Sequence, residues 1–311
     1  MPGSKIELPE GIHLNGLTFH TEHMNVSDIS VTLTAGYSTA KDLDEIERWV
    51  AFVLKNVGGL KTNPCKNVII SIFLTKFKKE LNAPYTPLGP PQVNSGYAYE
   101  NEEVVVYREE DWKKVFIHEC FHLFGFDKVA EGYVGDQFPI PTDVDLKEVF
   151  SETNARLLHA WWTRPQGEKD SDFWTSRHFQ KQVDFSLLQM VKVLDHFGLA
   201  FSNVVQRKGL EKFKETSNVF AYYVVTAILM YDAKNFWAAS LALLRGEKIS
   251  FPDFIKAASR KVHGSDQLFK AENVFRTASK SANLKMVGGI KKWKRTSTAT
   301  KSSSTRRRLK K

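Results

Sequence analysis

The stretch between residues 104 and 125 places the strongest constraint on the fold of this chain. Residues 104–107 form an apolar, β-branched run that predicts a strand. The acidic residues 109–111 predict the first turn of a following helix, because the helix macrodipole favours negative charge there. That helix carries His118 and His122, and residues four apart lie on one helix face. The sequence therefore predicts a strand–helix unit that directs two imidazole rings toward one point.

The two histidines and the glutamate between them form the pattern His-Glu-x-x-His, which is typical of metal-assisted hydrolysis. Two imidazoles at this spacing can bind one zinc ion, and Glu119 lies beside them, where its carboxylate can reach a metal-bound water. Zinc lowers the pKa of such a water, and the glutamate can take its proton during attack on a carbonyl. We predict His118 and His122 as zinc ligands and Glu119 as the general base. The alternative is a buried helix whose histidines only satisfy local hydrogen bonds.

A catalytic zinc site needs a third protein ligand, and two layouts compete for it. In the metzincin layout the ligand lies three residues beyond a glycine, which here is Lys128, a residue that cannot serve. Asp127 is one position short of that place. In the gluzincin layout a glutamate comes from a later helix. Residues 147–162 predict such a helix, with Glu148 and Glu152 on one face.

Residues 95–162 resemble the active-site region of the gluzincin group of zinc metallopeptidases. The second motif of that group is a glutamate followed three residues later by a small residue that lets two helices pack closely. Glu152 with Ala155 matches this motif better than Glu148 with Ser151. The resemblance therefore implies that His118, His122 and Glu152 bind zinc. The alternative is that both glutamates only form ion pairs on a solvated helix face.

Several residues are candidates for stabilising the oxyanion that forms when water attacks a carbonyl. Tyr133 lies in the loop between the two predicted metal helices, and His159, Tyr222 and Tyr223 lie further along the chain. The sequence does not choose among them. The proline-rich residues 83–92 predict a rigid loop that forms either a rim of the substrate cleft or a plain surface crossover.

We expect an α+β fold in three parts. Residues 1–165 form a zincin-like lobe with a small sheet and two metal-binding helices, residues 166–290 form a mostly helical C-terminal lobe, and residues 291–311 form a disordered basic tail. Strands are predicted at 17–19, 29–34, 68–75, 95–99 and 104–107, and helices at 41–57, 109–124, 147–162, 176–197, 208–231, 233–245, 251–262 and 266–285.

The charge of the chain is concentrated at its C-terminal end. The formal net charge is +9, and residues 291–311 hold ten of the 44 Lys and Arg but none of the 35 Asp and Glu. Such a tail can bind nucleic acid or another polyanion through non-specific phosphate contacts, act as a nuclear-import signal, or only improve solubility. No zinc-finger or helix-turn-helix signature accompanies it.

Two cysteines, Cys65 and Cys120, cannot form a disulfide framework, which favours a reducing, intracellular setting. The chain begins without a signal peptide and lacks an apolar run long enough to span a membrane. A fainter resemblance over residues 93–119 is to uncharacterised proteins of large DNA viruses, which adds virion association as a possible location.

The leading functional prediction is a zinc-dependent metallopeptidase that acts on a protein or peptide substrate. One alternative is a non-catalytic zincin-like protein, structural or virion-associated, that binds nucleic acid or another polyanion through residues 291–311. Another is a polyanion-binding scaffold that holds no metal.

Overall fold

A computed structural model of the chain describes residues 8–9, 11–58, 65–277 and 283–285. The predicted α+β fold is confirmed, with a mixed sheet followed by a mostly helical region. The strands are β1 (Thr18–Val26), β2 (Ile29–Tyr37), β3 (Asn67–Phe73), β4 (Gly96–Tyr99) and β5 (Glu103–Val106). The α-helices are α1 (Ala40–Val57), α2 (Pro90–Val93), α3 (Trp112–Leu123), α4 (Leu146–Trp162), α5 (Arg177–His196), α6 (Phe201–Gln206), α7 (Thr226–Tyr231), α8 (Ala233–Leu244), α9 (Phe251–Val262) and α10 (Asp266–Thr277).

The five strands form one sheet in the order β1-β2-β3-β5-β4. β3 is the central strand and pairs in parallel with both β2 and β5, while β1 and β4 pair antiparallel at the two edges. Ile70 and Ile72 of β3 are fully buried, as the apolar run at 68–75 predicted. The sheet thus presents β4 as the edge strand closest to the predicted metal helix.

α1 covers one face of the sheet. The capping box predicted from Thr39 and Asp42 is present, with each side chain accepting a hydrogen bond from the backbone N–H of the other residue, at 3.3 and 2.8 Å. Ile46, Val50 and Val53 form the buried stripe of the helix. The helix ends within the predicted boundary.

α3 begins at Trp112, directly after the acidic residues 109–111 that were predicted to form its first turn. Asp111 occupies the N-cap position in a left-handed conformation with φ of 61°, and its side chain does not cap the helix. It instead accepts a hydrogen bond of 3.2 Å from Nζ of the buried Lys79. The prediction of three acids in the first helical turn was wrong, because a buried lysine recruits one of them before the helix starts.

The helical region follows the predicted segments except in three places. α6 (Phe201–Gln206) was not predicted. The segment predicted at 208–231 contains a 3-10 turn at Leu210–Lys212, an extended stretch, and a π-helical turn at Phe220–Val225 that leads into α7. Of the described residues in the segment predicted at 266–285, those of α10 are helical and Asn283 instead forms a β-bridge with Glu80. Near the end of this predicted segment, Leu284 is fully buried and donates its N–H to the Lys79 carbonyl at 2.8 Å.

Among the described residues, no helix has the length and apolar character needed to cross a membrane. The basic tail at 291–311 lies outside the described residues. The boundaries at 165 and 290 stay predictions, and one buried apolar cluster includes residues of both the sheet-containing and the helical regions.

Candidate metal centre

The two helices predicted to hold zinc pack against each other and bring together His118, His122 and Glu148. Nε2 of His118 lies 3.0 Å from Nε2 of His122. Oε2 of Glu148 lies 3.1 Å from the first of these nitrogens and 3.3 Å from the second. Two imidazole nitrogens and one carboxylate oxygen therefore form a nearly equilateral triangle.

This triangle has the dimensions that a zinc ion requires. Ligand atoms at 2.0–2.1 Å from a tetrahedral ion lie about 3.3 Å from one another, which is close to the three separations in the structure. Histidine nitrogen and carboxylate oxygen are both ordinary zinc donors, and three protein ligands leave one position for water or substrate. The donor set and its geometry fit zinc.

Each histidine also contacts a carboxylate through its other ring nitrogen. Nδ1 of His122 forms a hydrogen bond of 2.9 Å with Oδ2 of Asp127, whereas Nδ1 of His118 lies 3.1 Å from Oε2 of Glu152 without the alignment of a hydrogen bond. A carboxylate at Nδ1 fixes the ring orientation and leaves Nε2 free to bind a metal. Asp127, which lies one position short of the third ligand in the metzincin layout, therefore contacts Nδ1 of His122 and can orient that ring.

The electrostatics of the metal-free site reflect these contacts. Burial lowers the pKa of His122, but the carboxylates of Asp127 and Glu148 outweigh burial and raise that pKa to about 11. For Glu148, burial raises the pKa, but its contacts with His118 and His122 hold it well below the ordinary value. The site therefore retains a carboxylate, and zinc binding must displace protons from the imidazoles.

The structure separates the roles of the two glutamates of α4. Oε2 of Glu152 accepts a hydrogen bond of 2.6 Å from Nζ of Lys114, and its Oε1 accepts one of 2.8 Å from Nε of Arg156. All three side chains are buried. Because these two cations and Nδ1 of His118 surround its carboxylate, Glu152 orients a ligand, whereas Glu148 completes the triangle. The gluzincin resemblance implied Glu152 as the third ligand, whereas the structure brings Glu148 together with the Nε2 atoms of the two histidines. Which of the two glutamates binds zinc stays a prediction.

Glu119 lies on the side of the triangle predicted for a general base. It is buried and lines a cavity together with His118, Glu152 and Tyr222. Burial raises the pKa of its carboxyl, while the nearby His118 and His122 oppose the shift. A carboxylate with a raised pKa accepts a proton more readily, which suits a general base.

Glycine at position 96 gives the Glu119 carboxylate its space. A Cβ at Gly96 would lie 2.6 Å from the Val105 carbonyl oxygen and 3.0 Å from Oε1 of Glu119. We expect Gly96→Ala to displace the carboxylate and to lower the free energy of unfolding by about 1–3 kcal/mol, as overpacking does. Urea denaturation and zinc titration of the variant test this. A variant with unchanged stability would contradict the close contact.

Of the four oxyanion candidates, only Tyr222 lies at the centre. Its ring centroid is 5.9 Å from that of His118, and it lines the same cavity as Glu119. Burial and the surrounding carboxylates, Glu148 first, raise the pKa of its phenol well above the ordinary value, so it stays a hydrogen-bond donor.

The other three candidates point elsewhere. The hydroxyl of Tyr223 donates a hydrogen bond of 2.7 Å to the Leu284 carbonyl. His159 packs edge-on against Trp49, and burial lowers its pKa to about 4. The exposed Tyr133 lies over Gly135 of its own loop.

We expect Asp127→Asn to weaken zinc binding about 10- to 100-fold, the usual effect of losing a carboxylate that orients a histidine ligand. Competition with a chromophoric chelator measures the change. Lys128→Ala is the matched control, because Lys128 is the next residue and pairs with Glu100 at the surface. Equal zinc affinity of Asp127→Asn and wild type would contradict the role of Asp127.

No protein-family model and no curated protein matches the chain. Among solved structures, it is similar to the crystal structure of an aminopeptidase N family protein from Idiomarina loihiensis, with a TM-score of 0.36 and 12% sequence identity. The match covers 84% of this chain and 44% of that protein, so the chain spans less than half of its length. A similarity of this degree carries no argument about activity. The resemblances to gluzincins and to viral proteins remain hypotheses.

Proposed function

We propose that this protein is a zinc-dependent hydrolase that cleaves peptide bonds. The observation that carries the proposal is the triangle of His118, His122 and Glu148, with Glu119 buried in the cavity beside it. Zinc, when bound there, lowers the pKa of water and polarises a carbonyl oxygen. Three ligands and an adjacent buried carboxylate form the donor set that catalytic zinc sites use.

Four side chains have the other roles in the proposed reaction. Glu119 accepts a proton from the attacking water and returns it to the departing amine, which a single carboxylate can do in succession. Tyr222 donates a hydrogen bond to the carbonyl oxygen as negative charge develops. Asp127 and Glu152 hold the two imidazole rings in place through their Nδ1 atoms.

The edge strand supports a peptide as the substrate. β4 is the last strand of the described sheet, and Gly96 at its start lines the cavity beside Glu119. An extended peptide can add to such an edge through main-chain hydrogen bonds, which would bring its carbonyl groups past the general base. We therefore propose an extended protein or peptide segment as the substrate.

The proposal is tested by incubating zinc-loaded protein with a mixture of unfolded peptides and analysing the products by mass spectrometry. Cleavage should stop after removal of zinc with a chelator and return when zinc is added back. His122→Ala should abolish it. Bound zinc without cleavage of any peptide would contradict the peptidase and favour the non-catalytic zincin-like protein.

A second group of possible ligands provides a control for zinc measurements. His20, Glu22 and Glu47 lie near one another at the outer edge of β1 and α1, with 4.0 Å between Nε2 of His20 and Oε2 of Glu22. His20→Ala removes any zinc bound there. We expect this variant to keep both the zinc of the His118 site and the cleavage activity.

A further inference from the structure

The cavity beside the metal centre is too small for a substrate. Its volume is about 20 Å³. A space of this size holds about one water molecule, whereas sites for small ligands measure about 300–1,000 Å³. A peptide can therefore reach Glu119 only if one wall of the cavity moves.

Most of the walls are fixed in place. His118, Glu152 and Lys114 belong to the buried network described above. Gly96 belongs to β4, which is hydrogen-bonded into the sheet. Val115 of α3 and Tyr222 of the π-helical turn line the cavity too, and the last wall is Val93, Asn94 and Ser95. It continues from the proline-rich loop, and we call residues 83–94 the strap.

The first part of the strap is anchored by His196 of α5. The Tyr85 N–H donates to the His196 carbonyl at 2.9 Å, and Nε2 of His196 lies 2.8 Å from the Thr86 carbonyl oxygen. Nη2 of Arg108 also donates to the Pro91 carbonyl at 2.6 Å.

The second part of the strap is held to residues 213–217 of the helical region by three hydrogen bonds. The Leu88 N–H donates to the Lys214 carbonyl at 3.1 Å, and the Thr216 N–H donates to the Leu88 carbonyl at 2.8 Å. Ser217 Oγ donates to Oδ1 of Asn94 at 2.9 Å. We call residues 213–217, which form this short pairing, the clasp.

The clasp is linked to the residue that reaches the metal centre. Oε2 of Glu215 accepts a hydrogen bond of 2.8 Å from the Phe220 N–H, at the start of the π-helical turn that carries Tyr222. Its Oε1 accepts one of 2.7 Å from Thr142. π-helical turns are frequently found at functional sites. Movement of the clasp would therefore act on the position of Tyr222.

We propose that the strap and the clasp form a gate over the Glu119 side of the metal centre, and that substrate reaches the space beside Glu119 only after their pairing opens. This inference rests on the proposed function and adds regulation of access to it. Leu88 and Val93 of the strap are fully buried, so opening exposes apolar surface to water. The closed form is consequently favoured without substrate, and an extended chain that pairs with β4 offsets the exposure.

The structure offers a reversible lock for this gate. A Cβ at Gly89 of the strap would lie 3.7 Å from Cβ of Thr216 in the clasp. Disulfides have Cβ separations of about 3.5–4.5 Å, so Gly89→Cys/Thr216→Cys should form one. Gly89 has φ of −149°, which any residue adopts. The native Cys65 and Cys120 are both buried.

The experiment compares the oxidised and the phosphine-reduced forms of the double variant after zinc loading. Calorimetry measures the binding of a dipeptide hydroxamate, which needs both the zinc and the space beside Glu119. We expect oxidation to weaken binding at least tenfold and reduction to restore it. The single variants Gly89→Cys and Thr216→Cys should show no difference between the two conditions.

A second engineered disulfide, placed away from the strap and the clasp, is the control for the effect of disulfide formation itself. Thr21 and Thr34 are opposite each other in β1 and β2, and Thr21→Cys/Thr34→Cys should bind the hydroxamate equally in both forms. Ser217→Ala removes the bond to Asn94 and should speed association about fivefold, the factor that one net hydrogen bond represents.

The outcomes distinguish the gate from the function on which it rests. Zinc content is measured first, and absence of zinc from the reduced double variant and from wild type would overturn the proposed function and the gate together. If zinc is bound, equal hydroxamate affinity of the oxidised and reduced forms would overturn the gate alone. Failure of the reduced form to bind would do the same, because the strap would then not decide access.

Discussion

Replacing Glu119 by glutamine is expected to lower kcat about 10²- to 10⁴-fold, the range that a general base contributes. Glutamine has nearly the same shape but cannot accept a proton from water. The residue lines the cavity without belonging to the triangle of ligand atoms, so zinc content should stay at the wild-type level. Steady-state kinetics on a cleaved peptide, with zinc measured on the same samples, separate the two effects.

A surface glutamate provides the control for this substitution. Glu100 pairs with Lys128 on the outside of the protein, and Glu100→Gln should leave kcat unchanged. A Glu119→Gln variant that retains wild-type kcat would exclude Glu119 as the base. Loss of zinc from the variant would show that the carboxylate has a structural role at the centre.

Glu152→Ala is expected to lower the free energy of unfolding of the zinc-free protein by about 3–5 kcal/mol, because removing one partner leaves buried charges uncompensated. The charges in question belong to Lys114 and Arg156, which both donate to this carboxylate at 2.6 and 2.8 Å. Urea denaturation in the presence of a chelator measures the change.

Two further variants test the physical cause. Glu148→Ala removes a carboxylate from the same helix without leaving a buried lysine or arginine unpaired. Its partners His118 and His122 can release their protons and become neutral, so this variant should be less destabilising. Replacing Lys114 and Glu152 together by methionine should recover part of the lost stability, because it removes one of the two uncompensated charges, while Arg156 still lacks its carboxylate. Equal stability of Glu152→Ala and wild type would contradict the buried network.

The sequence predicts the ligand-bearing helices but not the choice between the two glutamates. Both lie four residues apart on one face of α4, so both were expected to face α3. The contacts show that the helices run antiparallel. Lys114 and His118 meet Glu152, whereas His118 and His122 meet Glu148.

A signal for this register was present in the sequence. Lys114 lies one turn before His118 on the same face of the helix, and a buried lysine needs a carboxylate opposite it. If the helices are antiparallel, the later glutamate of the pair falls opposite Lys114 and the earlier one remains for zinc. The gluzincin motif favoured Glu152 because it is defined by the small residue three positions later, here Ala155. It contains no information about a charged residue such as Lys114 on the facing helix.

Long-range contacts account for the other differences from the sequence-based expectations. The helix predicted at 208–231 is interrupted because residues 214–216 pair with Leu88, more than 100 residues earlier. Adjacent residues on a helix point in directions about 100° apart, so only one of Tyr222 and Tyr223 can face the metal centre. Local periodicity carries no information about which one does.

The most direct test of the ligand assignment is the zinc affinity of wild type, Glu148→Ala and Glu152→Gln, measured by chelator competition in the His20→Ala background. We expect one tightly bound zinc per wild-type chain and a near-complete loss of zinc binding in Glu148→Ala. Glu152→Gln should lose only about 10- to 100-fold, the effect of a residue that orients a ligand. If Glu152→Gln bound zinc more weakly than Glu148→Ala, or if the wild-type protein had no affinity for zinc, the assignment of Glu148 as the third ligand would be contradicted.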